Sequence, residues 1–174
     1  MYGYAGAYGV HLILDKKWEE LLERYNYRYL SEQKRIHQMQ FDIEKPDINI
    51  GDTYVYEIGK GGVLTSLYAL SGELKSGLGI NMKSIPIIQS TVEIAEYFRL
   101  NPYNMLSKAY LIVCDNAEFM QEYMRDKGYK SVLIGALYED KLKIVNDRYE
   151  EETDNGFSYI NRPGKDEIYK VMTI

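Results

Sequence analysis

The chain has 174 residues, a formal net charge of −5 and 45% hydrophobic residues, which is the size and composition of one ordinary globular domain. The negative charge argues against nonspecific binding to nucleic acid, because that binding needs a basic face. A single cysteine, Cys114, excludes a disulfide framework and a zinc site built from thiolates. No apolar run approaches the ~18 residues of a membrane span, and no segment has the pattern of a signal peptide. We therefore expect a cytoplasmic protein that does not bind membranes.

The first third of the chain predicts a strand, a helix and a second strand. Residues 10–14 form a short apolar run, which predicts a strand, and Asp15 is a candidate cap for the helix that follows. Apolar residues then recur at roughly helical spacing over residues 18–36. Residues 53–58 alternate and are rich in Tyr and Val, which again predicts a strand.

Helices and strands continue to alternate through the middle of the chain. Residues 62–75 predict a helix and residues 77–82 a strand. Ser90 and Glu93 have the spacing of a capping box, which predicts that another helix opens there. Pro102 follows the break of that helix and favours a short turn of its own.

The next segment predicts an apolar strand followed by a helix. Residues 109–114 are strongly apolar, as in a buried strand. Asp115 and Glu118 repeat the capping-box spacing at the start of the helix, and Gly128 suits its C-terminal end.

The end of the chain predicts a hairpin, a polar loop and a short final turn or helix. Residues 131–138 and 142–145 read as two strands joined by "EDK", and the acidic residues 150–158 as a loop before "RPGKDEIYKVM". The whole order predicts an α+β fold, a three-layer α/β/α arrangement with a central mixed β-sheet. We assign residues 1–149 to the domain and 150–174 to a polar loop and C-terminal tail.

The stretch "EIGKGGVLTSLYALS" combines three glycines and a lysine between a predicted strand and a predicted helix. Glycines let backbone N–H groups approach an anion, and a helix start adds unpaired donors and partial positive charge. The spacing fits neither G-x-x-x-x-G-K-[ST] nor G-x-G-x-x-G. Two interpretations stay open: a phosphate cradle, or a tight turn in which glycine permits close packing.

Other candidate chemistry is weaker. His11 and His37 are the only histidines, and neither has a set of potential ligands nearby in the sequence, so we predict no metal site. No Ser-His-Asp arrangement can be assembled from the spacing, and the catalytic residues, if there are any, stay unknown.

A family resemblance emerges from the order of these segments. "EIGKGGVLTSLYALSGELKSGLGINMKSIPI", "EIAEYFRLNPYNMLSKAYLIVC", "KGYKSVLIGAL" and "RPGKDEIYK" resemble the C-terminal domain of AIR synthase-related proteins, in particular the branch like the hydrogenase maturation factor. In that superfamily a D-x-T-x-G-G loop before a helix lies near the phosphates of a nucleotide. The resemblance therefore implies a phosphate- or nucleotide-binding loop at Glu57, Gly59, Lys60, Gly61 and Gly62, although Glu57 and Gly59 replace the family's Asp and Thr.

The same resemblance implies what this stretch lacks. Full-length family members bind ATP and Mg²⁺ largely through an N-terminal domain, and the family pattern here begins at the start of the second domain. We expect a module that is noncatalytic alone and needs no cofactor alone, with weak phosphate or nucleotide binding at the glycine-rich loop. We expect it to form a homodimer or to pair with a separate N-terminal-type domain. The alternatives are one half of an ATP-dependent enzyme completed in trans, and a purely structural or regulatory interaction protein.

Overall fold

The computed structural model describes residues 1–146 and 157–172. It has a mixed α+β fold, so the expected fold class is confirmed. The α-helices of this part of the chain are α1 (Ala7–Lys16), α2 (Trp18–Leu22), α3 (Tyr27–Phe41), α4 (Gly62–Leu74), α5 (Gln89–Tyr97) and α6 (Ala117–Asp126). The strands are β1 (Tyr54–Ile58), β2 (Gly77–Asn81), β3 (Ala109–Val113), β4 (Gly135–Tyr138), β5 (Lys143–Asn146) and β6 (Phe157–Tyr159).

The strands form two sheets. β1 pairs with β3 in an antiparallel ribbon, and the other sheet has the order β4-β2-β5-β6. Within the larger sheet β2 and β5 are parallel, whereas the other pairs are antiparallel. The predicted hairpin of β4 and β5 is therefore wrong, because β2 lies between them. The connection crosses the end of β2 closely: a Cβ atom on Gly77 would lie 2.4 Å from the Asp140 carbonyl oxygen and 2.7 Å from that of Leu142.

The hydrophobic interior has two parts. The sheet core lies between the strands and α4, and its largest members include Ile58, Val63, Leu67, Leu78, Ile80 and Leu111. The helix core lies among α1, α2, α3 and α5, and its members include Val10, Ile13, Leu14, Leu21, Leu30, Ile94 and Ile168. Each core buries many aliphatic side chains, and a fully buried side chain of this kind contributes about 1.5–3 kcal/mol.

The strand predicted at residues 10–14 is wrong, because that segment belongs to helix α1. Val10, Ile13 and Leu14 are all fully buried, and α1 packs against both α3 and α5. A short apolar run looks the same in a buried strand and in a helix that is covered on several sides, so the pattern could not separate them. The single helix predicted from residues 18–36 is two helices, α2 and α3. The second one begins after Asn26, whose side chain accepts a hydrogen bond from the Tyr29 amide.

Two predicted capping residues are wrong although their helices are present. α5 begins after Ile88, and the Ser90 side chain contacts His37 instead of capping the helix. The N-cap of α6 is Asn116, whose side chain accepts a hydrogen bond from the Phe119 amide at 3.0 Å. At α6 the adjacent Asn116 takes the capping role predicted for Asp115, whereas at α5 the distant His37 engages the Ser90 hydroxyl.

Several other boundaries agree with the sequence. Gly128 has φ +82 directly after α6, as a C-terminal glycine should. The short turns predicted near Pro102 and at the C-terminal tail are 3-10 helices, Pro102–Asn104 and Glu167–Lys170. Of the predicted acidic loop, residues 150–156 lie outside the described residues, and the last two belong to β6. No helix in the described ranges is long and apolar enough to cross a bilayer.

Candidate functional site

The predicted phosphate loop is the connection between β1 and α4, here called the glycine bend (residues 57–62). Glu57 is the exposed penultimate residue of β1, and Lys60 is exposed at the tip of the bend. Gly59 is half-buried, whereas Gly61 and Gly62 are buried. The structure thus brings the predicted residues together on one turn, with the charged pair outside and the glycine pair inside.

The two inner glycines are required by the backbone of the bend. Gly61 and Gly62 have φ of +78 and +68, a region that side chains other than glycine rarely adopt. A Cβ atom on Gly62 would lie 2.5 Å from the carbonyl oxygen of Tyr103 and 2.6 Å from that of Met105. Gly62 therefore allows close backbone packing against residues 101–107, and the positive φ of both glycines supports the tight-turn interpretation at this pair.

The amide at the tip of α4 already binds a carboxylate of the same chain. Gly61 is the N-cap residue of α4, and its N–H donates to Oδ2 of Asp166 at 2.6 Å. Oδ1 of Asp166 accepts from the amides of Leu106 at 3.2 Å and Ile168 at 3.0 Å. Asp166 is only 6% exposed, and backbone amides are the donors that usually compensate the burial of such a charge.

Residues 101–107 connect the bend to the rest of the molecule. The Ser107 amide donates to the Gly59 carbonyl oxygen at 3.2 Å, and the Leu106 amide binds Asp166. On the other side of this segment, the Gly6 amide donates to Oγ of Ser107 at 2.8 Å. One short segment therefore contacts the starts of two helices, α4 and α1.

The outer side of the bend is open. A Cβ atom on Gly59 would meet no atom of the described residues within 4 Å, and the Lys60 side chain is exposed. An anion approaching from solvent would find the Lys60 ammonium and the backbone next to it, while the Gly61 amide is taken by Asp166. The geometry permits a loose phosphate contact, and it lacks the enclosing ring of free amides that a nucleotide-binding loop supplies.

The two histidines belong to the helix core. His37 is fully buried, donates through Nδ1 to the Ala7 carbonyl oxygen at 3.2 Å, and lies 3.1 Å through Nε2 from Oγ of Ser90. Burial lowers the pKa of His37 to about 4, so the ring is neutral and Nε2 accepts the Ser90 hydroxyl proton. Because Ser90 is itself only 3% exposed, this pair is sealed from substrate and acts structurally.

The His11 ring is also covered, at 7% exposure, and stacks on the ring of Phe41. Its Nε2 lies 3.6 Å from Asp15 Oδ2. Within the described residues no group of three or more His, Cys, Asp or Glu side chains is placed to hold a metal ion.

A cavity lies away from the glycine bend. It has a volume of about 970 Å³ and lies between α4, α6 and the two sheets. Its lining is mainly apolar and includes Leu67, Leu78, Leu111, Met120 and Leu137, with Cys114 near one side. Burial raises the pKa of the Cys114 thiol, which disfavours the reactive thiolate.

Sequence reasoning missed Asp166, the residue that decides the chemistry of the bend. It lies more than a hundred positions from Gly61 in the chain. The available signal was local: an Asp directly before Glu167 and Ile168 has the pattern of a helix N-cap. That pattern predicts the Asp166–Ile168 hydrogen bond, and it contains no information about the distant glycine.

Comparison with known proteins places the fold. No protein-family model matches the sequence, and no curated protein matches it. Among solved structures, the chain is similar to E. coli HypE, a hydrogenase maturation protein, with a TM-score of 0.61 and 19% identity over 95% of this chain and 49% of that one. It is also similar to a chain of a HypE-HypF complex, with a TM-score of 0.60 and 20% identity over 92% of this chain and 51% of that one.

The chain has the AIR synthase-like fold of HypE. A third match, HypE in complex with ATP, has a TM-score of 0.53 and 14% identity over 74% of this chain and 39% of that one. The chain spans about half the length of the HypE proteins that it matches. At these identities the likeness concerns the fold, so activity and ligands must be argued from the residues of this chain.

Proposed function

We propose that this chain is a module of the type found as the C-terminal domain of AIR synthase-related proteins, noncatalytic alone and built to pack against another protein surface. The observation that carries the proposal is coverage: more than nine-tenths of the chain matches about half of HypE. A unit that normally packs against a second domain retains the fold of its half and lacks whatever groups the other half supplies.

The chemistry of the described residues supports the noncatalytic part. Phosphoryl transfer depends on metal ions that neutralise charge and on groups that position the nucleophile. The glycine bend offers one exposed lysine and a backbone turn, and its leading amide binds Asp166. An N-terminal-type domain, either in the same polypeptide or in a separate one, would supply the acidic metal-binding residues and most contacts to ATP.

Weak phosphate binding at the bend is the second part of the proposal. Lys60 and the open side of Gly59 can meet a phosphate group, with Glu57 close by in β1. Asp166 competes with the phosphate for the Gly61 amide, and its negative charge repels it. We therefore expect a dissociation constant in the millimolar range for Mg·ATP.

Packing against another protein is the third part. One of the matched HypE chains comes from a complex with HypF. For this chain we infer pairing with an N-terminal-type domain or with a second copy of itself. The start of the chain is rich in tyrosine, but Tyr2 stacks on Tyr110 and Tyr8 contacts Phe41 within the same chain, which makes these rings poor candidates for the surface that packs against a partner.

The direct test is a calorimetric titration of the isolated protein with Mg·ATP, combined with a phosphate-release assay. Gly59→Asp is the informative variant, since a Cβ there meets none of the described residues within 4 Å and the carboxylate would stand next to Lys60 in the chain. A carboxylate at Gly61 would be less useful, because its Cβ would lie 2.4 Å from Oγ1 of Thr65.

Gly72→Asp is the matched control, because Gly72 is exposed near the other end of α4 and its Cβ also meets nothing. We expect millimolar binding that Gly59→Asp removes and Gly72→Asp retains, with no phosphate release from any of the three proteins. Micromolar affinity accompanied by phosphate release would contradict a noncatalytic module. Equal binding by all three would place any bound nucleotide away from the bend.

A further inference from the structure

Among residues 1–146 and 157–172, no strand pairs with the outer edge of β4. β4 ends the larger sheet and pairs with β2 alone among the described residues. On the β2 side, the Asn81 amide donates to the Ile134 carbonyl oxygen; before β4, the Val132 amide donates to the carbonyl oxygen of Met1 in the N-terminal segment. Backbone groups of successive strand residues point to opposite sides. The N–H and C=O groups of Leu133, Gly135 and Leu137 therefore point to the outer edge.

This edge is apolar, and the part of the chain that the structure describes gives it none of the usual protection. Val132, Leu133 and Tyr138 are 39%, 53% and 53% exposed. The stretch "SVLIGALY" over residues 131–138 contains no charge and no proline. Natural sheets protect free edges with lysine, proline, bulges or a covering segment, since a bare apolar edge pairs readily with another strand. An unprotected edge in a folded domain is a typical feature of an interaction surface.

We propose that this edge pairs with the same edge of a second copy, as an antiparallel extension of the sheet across a two-fold axis near Gly135. In that register the outward groups of Leu133 in one copy face those of Leu137 in the other, and Gly135 faces Gly135. A two-fold interface requires one patch to be complementary to itself. An uncharged strand with exposed backbone groups meets that requirement without placing like charges opposite each other.

Charge at the two ends of the stretch favours the same antiparallel pairing. The strand is preceded by Lys130 and followed by Glu139 and Asp140, with Lys141 one residue further on, and all four residues are exposed. Antiparallel pairing around Gly135 brings Lys130 of one copy to the Glu139–Asp140 end of the other, twice in the dimer. Parallel pairing would instead align lysine with lysine. The charge pattern therefore selects a second copy in the antiparallel orientation.

This inference names a surface for the self-association contained in the proposed function, and it does not depend on the glycine bend. Sedimentation velocity over a range of protein concentrations tests it, with Leu133→Lys as the main variant. The substitution places a lysine from each copy opposite Leu137 of the other, at the edge that must pair, and we expect it to weaken dimerisation about tenfold or more. Met39→Lys is the matched control, since Met39 is 58% exposed on α3 and should leave dimerisation unchanged.

Charge exchange provides a second test that uses exposed residues and leaves the sheet core intact. Lys130→Glu and Glu139→Lys should each weaken the dimer several-fold, and the double variant should restore it. Arg28→Glu, an equal charge change at an exposed position of α3, should have no effect. A protein that is monomeric at all concentrations would overturn the proposal, as would a dimer that tolerates Leu133→Lys. Either result would leave the Mg·ATP titration, and with it the noncatalytic assignment, untouched.

Discussion

Two glycine bends start helices against the same segment, and they differ in the group that caps them. Gly6 precedes α1 with φ +66, Gly61 precedes α4 with φ +78, and neither helix start has a cap from a neighbouring side chain. A distant side chain accepts each amide instead: the hydroxyl of Ser107 for Gly6 and the carboxylate of Asp166 for Gly61. The same glycine conformation at a helix start therefore occurs once with a neutral acceptor and once with an anionic one.

The difference shows that a glycine bend at a helix start is not evidence for an external anion. Both bends offer an amide at the positive end of a helix. The α1 bend satisfies it with a hydroxyl inside the protein, and the α4 bend satisfies it with an internal carboxylate that also accepts the Leu106 and Ile168 amides. At α4 the protein supplies the anion itself, which explains why a phosphate would have to compete there.

The largest expected effect comes from adding a methyl group inside the α4 bend. Gly62→Ala forces a Cβ to within 2.6 Å of two carbonyl oxygens at a φ of +68, and the atoms that would have to shift belong to the backbone instead of to flexible side chains. We expect a loss of about 3–5 kcal/mol in the free energy of unfolding, measured by urea denaturation. Gly59→Ala is the control in the same bend and should change it by less than about 0.5 kcal/mol.

The second largest loss of stability is expected from removing the internal anion, the carboxylate of Asp166. Asp166→Ala leaves the amides of Gly61, Leu106 and Ile168 without their acceptor in a buried place. We expect a loss of about 2–4 kcal/mol in the free energy of unfolding, because buried unpaired donors keep their full desolvation cost. If Asp166→Ala lowers the free energy of unfolding by less than Ser107→Ala does, the carboxylate at Gly61 is not a stronger cap than the hydroxyl at Gly6.

Acid should weaken the α1 side of the molecule through His37, which binds the Ala7 carbonyl oxygen at the start of α1. The pKa of His37 is lowered from 6.5 to about 4 in the folded protein, so the unfolded chain takes up its proton first as the pH falls. The stabilisation is complete above pH 6.5 and is lost as the pH approaches 4, by about 3 kcal/mol in all.

Urea denaturation at a series of pH values measures this loss. His37→Gln should remove the part of the pH dependence that lies between pH 6.5 and 4. An unchanged slope in that variant would assign the acid sensitivity to other groups.

The smallest expected effect is at the neutral cap. Ser107→Ala removes the acceptor of the Gly6 amide and the donor to the Met105 carbonyl oxygen, both of which are buried. The expected loss in the free energy of unfolding is about 1–2 kcal/mol. A value near zero, found together with a large effect of Asp166→Ala, would sharpen the contrast between the bends.

Local patterns predicted most elements, and their failures have physical causes. β1, α4, β2 and β3 appear where alternation and helical periodicity place them, because each buries one face against the sheet core. The strand predicted at residues 10–14 is wrong because α1 is covered on several sides, so its sequence has no polar stripe that would mark a helix. The predicted hairpin is wrong because β2, which lies more than fifty positions earlier in the chain, pairs with β4 on one side and with β5 on the other.

The sequence predicted where the candidate site lies in the chain, but not which groups surround it in the folded protein. Glycine content and helix start located the bend, and these are properties of adjacent residues. Whether its leading amide is free depends on Asp166, and tertiary contact of that kind leaves no periodic trace in the sequence.

The most direct test of the internal anion is the Gly61 amide resonance of the isotopically labelled protein during a titration with Mg·ATP to millimolar concentration. If Asp166 occupies the bend, the Gly61 signal keeps its position while the amides of Gly59 and Lys60 shift gradually without saturation. A Gly61 signal that shifts in step with a tight, saturating binding curve would contradict this, because the amide would then be donating to nucleotide instead of to Asp166.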